Sequence, residues 1–220
     1  VSTLRKPDKF QTEYWDSGIN YRPPWHPVVR ACVIPKLGFI RKNVPITRKT
    51  RILDVGSGNG TYSYHLRELA DCVAVDSSPS LLRQNPCRKA LADAIRLPFK
   101  DDMFDIVLAA CLLHHVPDPF AVVAELKRVS RSHVILIEPN RANPPQALFS
   151  LLVREERGGL RFSRAFLARC AEANGLRVTH ALSTGMIFPN KTPLAAIGLL
   201  RIFDRNFRFG MNSILIAEKR

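Results

Sequence analysis

The chain lacks any run approaching the ~20 apolar residues that a helix needs to cross a bilayer. Its purely apolar stretches, such as 194–200, fall far short. No membrane span is therefore expected. No charged n-region followed by an apolar h-region opens the sequence, so no secretory leader is expected either. Cysteine is sparse and unpaired in pattern. Cys32, Cys72, Cys87, Cys111 and Cys170 are odd in number, widely scattered and form no C-x-x-C pair. That argues against a disulfide framework and against a zinc site, and favours a reducing, cytoplasmic compartment with no structural metal. Repeats and low-complexity stretches are also missing, which excludes solenoid and linker-like classes.

Acidic residues are few as well: 19 Asp and Glu face 33 Lys and Arg in 220 residues, for a net charge of +14. The excess is uneven. Residues 1–51 hold 11 basic and 3 acidic side chains, residues 52–139 hold 9 and 11, and residues 140–220 hold 13 and 5. A near-neutral middle thus lies between two basic flanks. Arg outnumbers Lys 23 to 10, which favours planar, bidentate contacts to phosphate or carboxylate. An anionic partner fits these flanks: RNA, a phosphorylated small molecule or an anionic membrane surface. A solvated basic surface with no such partner fits them equally well.

Along the chain, Tyr14, Trp15, Tyr21 and Trp25 lie among prolines in a turn-rich lead-in. A short helix is expected from Pro27 to about Ile34, with Pro35 as its stop. A basic connector, 41–51, follows. Then the pattern changes. Buried strands are expected at 51–55, 72–76, 104–110 and 134–137, a weaker one near 89–93, and helices at 61–69, from Ser78, and from Asp118. Further helices are expected around 146–153 and 163–174, and strands near 176–180 and 213–217. Near-continuous apolar strands alternating with helices mean a parallel sheet covered on both faces. The domain reading is an N-terminal basic lid at 1–50, a cofactor core at 51–139, and substrate-side and closing strands at 140–220.

A strand running into Gly56-Ser57-Gly58-Asn59-Gly60 and then a helix suggests a nucleotide-type site, because glycines allow close backbone approach. The G-x-G-x-x-G fingerprint fails at Thr61, and no Lys follows Gly60 as a phosphate-binding P-loop requires. What remains is D-x-G-x-G-x-G on Asp54, Gly56, Gly58 and Gly60. It is followed by V-D-x-S at Val75–Ser78, A-D-A-x-x-L-P-F at Ala92–Phe99, F-D-x-V at Phe104–Val107 and L-H-H-V at Leu113–Val116. In this order the five motifs resemble the class I S-adenosylmethionine-dependent methyltransferases of the type-11 group.

The resemblance implies a three-layer α/β/α Rossmann-like sandwich with a mostly parallel seven-stranded sheet whose last strand is antiparallel. It implies S-adenosylmethionine as cofactor, a cationic group without phosphate that asks for carboxylates rather than Lys or Arg at the loop. Asp76 would accept the ribose hydroxyls and Asp93 the adenine amino group, with Ala94 facing the ring. Gly56, Gly58 and Gly60 would pack on the methionine tail and Asp54 would orient its ammonium. Ser57, Ser77 and Ala110 would complete the site, and Arg22 would pair with the cofactor carboxylate.

The segment 110–115 resembles the stretch facing the transferred methyl, which makes His114 and His115 candidates for a general base; packing or capping is the competing role. Cys111 lacks a preceding Pro and is expected to pack rather than attack. Asn143-Pro144-Pro145-Gln146 is similar to an N-P-P element of amino-group methyltransferases but follows the wrong strand, so it is expected to be a turn into a helix. Glu138–Pro144, Arg154–Gly158 and Phe209–Asn212 resemble type-11 relatives with glycan- or lipid-linked substrates. The expected activity is methyl transfer to a small, anionic, lipid- or glycan-linked acceptor. The alternatives are an RNA (tRNA) methyltransferase using the basic flanks, and a cofactor-binding, non-catalytic partner subunit. The apolar, arginine-bearing stretch 192–209 leaves peripheral membrane contact open.

Overall fold

A computed structural model describes residues 21–220. Tyr14 and Trp15 of the expected lid lie outside the described residues. In order, the elements are α1 (Pro27–Asn43), β1 (Arg51–Val55), α2 (Ser63–Leu66), β2 (Asp71–Asp76), α3 (Pro79–Gln84), β3 (Lys89–Leu91) and β4 (Phe104–Ala110). They continue with α4 (Pro119–Val129), β5 (Ser130–Pro139), α5 (Pro144–Leu152), α6 (Arg164–Glu172), β6 (Leu176–Thr184), α7 (Ile197–Leu200) and β7 (Asn212–Lys219).

The seven strands form one sheet in the order β3-β2-β1-β4-β5-β7-β6. Strands β1 to β5 pair in parallel, and β7 runs antiparallel to both β5 and β6. The mostly parallel sheet with an antiparallel last strand is the arrangement implied above. The strand order reverses between β1 and β4, so the crevice that open α/β sheets use for ligands lies past the carboxyl ends of these two strands. Val55 pairs with both Val75 and Ala109, and Ala110 pairs with Ile137, so β1, β2, β4 and β5 end at the same edge. Two apolar layers cover the sheet. One joins Val107, Leu136 and Leu215 to α4 and α6, through Leu126 and Leu167. The other joins Ile52, Ile106 and Ile216 to α1, through Val33, Leu37 and Ile40.

Two helices depart from expectation. Helix α1 does not stop at Pro35 but runs on to Asn43. Proline removes one ladder hydrogen bond. Continuing the helix buries Leu37 and Ile40 against the sheet, and that burial outweighs the loss. The His26 side chain caps its start by accepting from Val28 N–H, and Pro27 occupies the first turn. Helix α2 is much shorter than the expected 61–69. Beyond Leu66 the chain closes in a turn, Leu69 N–H to the Leu66 carbonyl. It must reach Asp71, whose N–H is held by the Thr50 carbonyl at the start of β2.

Candidate functional site

The glycine loop leaves β1 with Gly56, Gly58 and Gly60 all at positive φ (69°, 53° and 94°), a backbone region that side-chain-bearing residues rarely adopt. A Cβ on Gly56 would come within 2.8 Å of Leu112 Cδ1, and one on Gly60 within 2.7 Å of Asn85 Oδ1. Among the described residues, a Cβ on Gly58 would meet only Leu81 Cδ1, at 3.9 Å, which leaves an opening over the loop backbone. The Ser57 N–H donates to the Val75 carbonyl (2.9 Å), and its hydroxyl accepts from Asn85 Nδ2 (3.2 Å). Both placements lock the loop to β2 and α3.

Asp76 ends β2 with one carboxylate oxygen accepting from Gly58 N–H and the other from Ser78 N–H, each at 2.8 Å. Asp54, in β1, is buried and accepts from the Ser63 hydroxyl. Burial pushes its carboxyl up to about 7, the Ser63 hydrogen bonds oppose that rise, and the Asp76 charge adds to it. The Ala92 N–H donates to the Asp76 carbonyl (3.0 Å), which carries the chain to an exposed Asp93 and a half-buried Ala94 beyond β3. Asp93 accepts from Ile95 N–H at 3.1 Å. Ser77 is exposed at the end of β2, and Ala110 is half-buried at the end of β4.

Arg22 reaches the loop differently from expectation. Its carbonyl accepts from Asn59 Nδ2 (3.0 Å), while its guanidinium donates to the Pro189 and Thr192 carbonyls (3.1 and 2.7 Å). It therefore straps the loop to the 189–192 turn through main-chain oxygens. Taken together, the crevice offers carboxylates, an open glycine backbone and no Lys or Arg within the loop. That donor set fits a cationic, hydroxyl-bearing, phosphate-free group.

Past β4, His114 is buried between two carboxylates. Its Nδ1 lies 2.6 Å from Glu138 Oε2, and its Nε2 lies 3.3 Å from Glu156 Oε2. A carboxylate only accepts, so both ring nitrogens carry protons. Burial alone would depress the His114 pKa, but Glu138 and then Glu156 overcome it and hold it up at about 9. The other oxygen of Glu138 accepts from Leu112 and Leu113 N–H (2.9 and 2.7 Å), which fixes the turn that carries both histidines. His115 lies against His114 with ring centroids 3.8 Å apart. Burial and the His114 charge push its pKa well below the usual imidazole range. Its Nδ1 faces the Glu155 carbonyl at 3.2 Å, so Nδ1 carries the proton and Nε2 is the basic nitrogen. Among the described residues, ligand atoms of His114, His115 and Glu156 lie within 4.8 Å of one another. We read the cluster as a proton-holding one, because each of the two carboxylates faces a ring nitrogen of His114.

Glu155 and Glu156 arrive on a 3-10 segment, Arg154–Arg161, that approaches the histidine turn at Gly158. A Cβ there would sit 1.7 Å from the His114 carbonyl oxygen, so only glycine permits this approach. Cys111 follows β4 at φ 54°, a strained position for a non-glycine residue. Although the residue as a whole is exposed, burial of its thiol, with the Glu138 and Glu156 charges, holds its pKa well above the usual thiol range. It is not an activated nucleophile. Asn143 caps α5 by accepting from Gln146 N–H, with Pro144 in the first turn, as a turn into a helix requires.

Glu138, Glu156 and Gly158 join the histidine turn through contacts that no motif foretells. Glu138 did carry a legible signal, since it ends an apolar strand just as Asp76 ends β2.

Residues 53–137 match the family model described as a methyltransferase domain. The demethylmenaquinone methyltransferase of Mycolicibacterium paratuberculosis (strain ATCC BAA-968 / K-10) is 35% identical over 109 residues, covering 48% of this chain and 47% of that protein. The enzyme of the same name from Mycobacterium sp. (strain KMS) is 29% identical over 177 residues, covering 77% and 76%. The match thus spans about half the length of the first relative and about three quarters of the second. Among solved structures, a Thermotoga maritima SAM-dependent methyltransferase superposes with a TM-score of 0.70 at 17% identity over 89% of this chain and 93% of that one. The structure titled as a complex between the Haloferax volcanii Trm112 methyltransferase activator and the putative methyltransferase gives 0.64 at 15% identity, with 99% of both chains covered. At these identities the structural likeness speaks to the fold.

Proposed function

Because the chain belongs to the S-adenosylmethionine-dependent methyltransferases, we propose that it methylates a small, anionic, lipid-linked acceptor, with His115 as general base. The observation that carries the catalytic part is the pairing of unlike histidines at the carboxyl edge of the sheet. His114 is a locked imidazolium and His115 a neutral imidazole with Nε2 as its basic nitrogen. When bound, the cofactor supplies a methyl group already activated by a sulfonium. The chain then has to align the nucleophile, exclude water and take up a proton where the acceptor must lose one.

Asp54, Gly56, Ser57, Gly58, Gly60, Asp76, Ser77, Asp93, Ala94 and Ala110 are the residues proposed to hold the cofactor. Arg22 acts through Asn59 as a strap that keeps the loop in place. Glu138 positions His114, and the His114 charge adds to burial in setting the low basicity of His115. So weak a base suits an acceptor whose proton is already acidic. The relatives named demethylmenaquinone methyltransferases favour a small-molecule acceptor over nucleic acid or protein. The apolar, arginine-edged surface of 144–209 favours a lipid-linked one.

Tritiated-methyl transfer into fractionated native lysate tests this reading. Label is expected in the organic extract, and label confined to RNA or protein would overturn it. His115→Ala should lower turnover ~10²–10⁴-fold while leaving cofactor affinity unchanged. A fully active variant would show that alignment alone suffices.

A further inference from the structure

Helix α5 is turned inside out for a helix in water. Its buried side chains are Gln146 and Ser150, whereas Leu148, Leu151 and Leu152 are 56%, 57% and 72% exposed. The polar face is engaged inside the protein. Gln146 Nε2 donates to Ser150 Oγ, which in turn packs at Gly159 beside the histidine cluster. The leucines of the apolar face point to solvent. In and beside α7, Leu194, Leu199 and Ile202 are likewise exposed. Among the described residues, seven of the eleven large exposed hydrophobic side chains fall within 148–209, so the patch is regional rather than scattered.

The two halves of the patch are physically joined. Phe149 of α5 meets Phe188 edge-on, with centroids 6.1 Å apart. Asn143 Nδ2 donates to the Phe209 carbonyl (2.7 Å). Ile197 and Leu200 anchor α7 on Val28, Cys32 and Ile187. Strands β5 and β6 end, and β7 begins, at the carboxyl edge of the sheet. The patch therefore borders the mouth of the methyl-transfer crevice.

Its charge is one-sided. Arg154, Arg157, Arg201, Arg205 and Arg208 are exposed around the apolar residues. The acids nearby are fewer and already engaged: Glu156 faces His114, and the half-buried Asp204 pairs with Arg201 at 3.9 Å. Arg208 also lies over the exposed Phe209 ring, 5.7 Å from its centroid. Leucines and an aromatic ringed by arginines match the boundary of a bilayer, where apolar groups enter the acyl region and guanidinium groups stay with anionic headgroups.

We propose that this face, α5 together with 194–209, docks the protein on an anionic lipid surface with the crevice mouth facing the membrane. The inference goes beyond the proposed methyl transfer, which would stand if docking failed; only the lipid-linked nature of the acceptor draws on the same surface.

The test is co-sedimentation of the full chain with vesicles of phosphatidylcholine alone or with phosphatidylglycerol added, at low and moderate salt. Binding is expected with the anionic vesicles, together with a fraction that survives moderate salt. Arg201→Gln and Arg205→Gln should each weaken it roughly fivefold, and Leu151→Asp with Leu152→Asp should remove the salt-resistant fraction. Circular dichroism, melting temperature and cofactor affinity of these exposed-site variants should match the parent, which separates lost docking from lost folding. Absence of binding to anionic vesicles at low salt would overturn the proposal. So would equal binding by the variants. Self-association abolished by Leu151→Asp would assign the face to a second copy instead. Salt-sensitive tRNA binding that needs Arg201 and Arg205, without vesicle binding, would assign it to RNA.

Discussion

Replacing Asp54 with asparagine should stabilise the cofactor-free protein increasingly as pH rises. Asp54 is 1% exposed in β1, and its carboxyl is raised from the ordinary 3.8 to about 7. At 1.36 kcal/mol per pH unit this is roughly 4 kcal/mol of preference for the protonated form in the folded state. The folded chain therefore binds this proton more tightly than the unfolded chain does. Stability drains away as pH climbs from about 4 to about 7 and levels off above that. The amide in the Asp54→Asn variant would accept from the Ser63 hydroxyl without ever ionising. Between pH 5 and pH 8 the gap between variant and parent should grow by roughly 2–3 kcal/mol, or about 5–10 °C in melting temperature for a domain of this size. Other titrating groups are common to both proteins and cancel in the difference. Thermal melts of parent and variant at several pH values measure the gap directly. A gap that stays constant with pH would refute the assignment of a strained, buried carboxyl to this strand. Saturating cofactor should reverse the ranking at pH 8, because its ammonium favours the ionised form that only the parent offers.

Asp76→Ala should weaken cofactor binding at least ~100-fold by calorimetry while leaving the far-ultraviolet spectrum intact; unchanged affinity would remove Asp76 from the site. Gly158→Ala must push the 3-10 segment off the His114 carbonyl, so turnover should collapse while cofactor affinity stays within about twofold. Equal activity in that variant would show that the close approach of the segment to the histidine turn does not matter for turnover. The raised His114 pKa makes a separate claim, in a more alkaline window than that of Asp54. Its contribution to stability is complete below about 6.5 and is lost as pH rises through about 9. An alkaline fall in melting temperature that His114→Gln flattens would be the expected signature, and identical profiles would contradict the buried ion cluster.

The sheet was legible because its strands announce themselves. Val73–Val75, Ile106–Ala109 and Val134–Ile137 are nearly uninterrupted apolar runs, and buried parallel strands need such runs. The glycine loop was legible because its spacing serves a backbone requirement, now visible as three positive φ angles. Less legible were features settled by distant partners. Pro35 reads locally as a stop, yet the sheet beneath α1 offers enough burial to carry the helix past it. The difference between two adjacent histidines depends on Glu138, 24 residues downstream of His114, and Glu156, 42 residues downstream. Neither separation follows a local period. The guanidinium of Arg22 found main-chain carbonyls 167 and 170 residues away, which no motif could have foretold.

The contact at Gly158 has a wider bearing. Where the 3-10 segment meets the histidine turn, the spacing is set by main chain against main chain, with no side chain between them to adjust. The polar inner face of α5 then packs on that segment through Ser150 at Gly159, while its outer leucines stay exposed. Substitutions on the outer face can accumulate without disturbing the proton-holding cluster. The outer surface is thus free to vary while the arrangement around His114 stays in place.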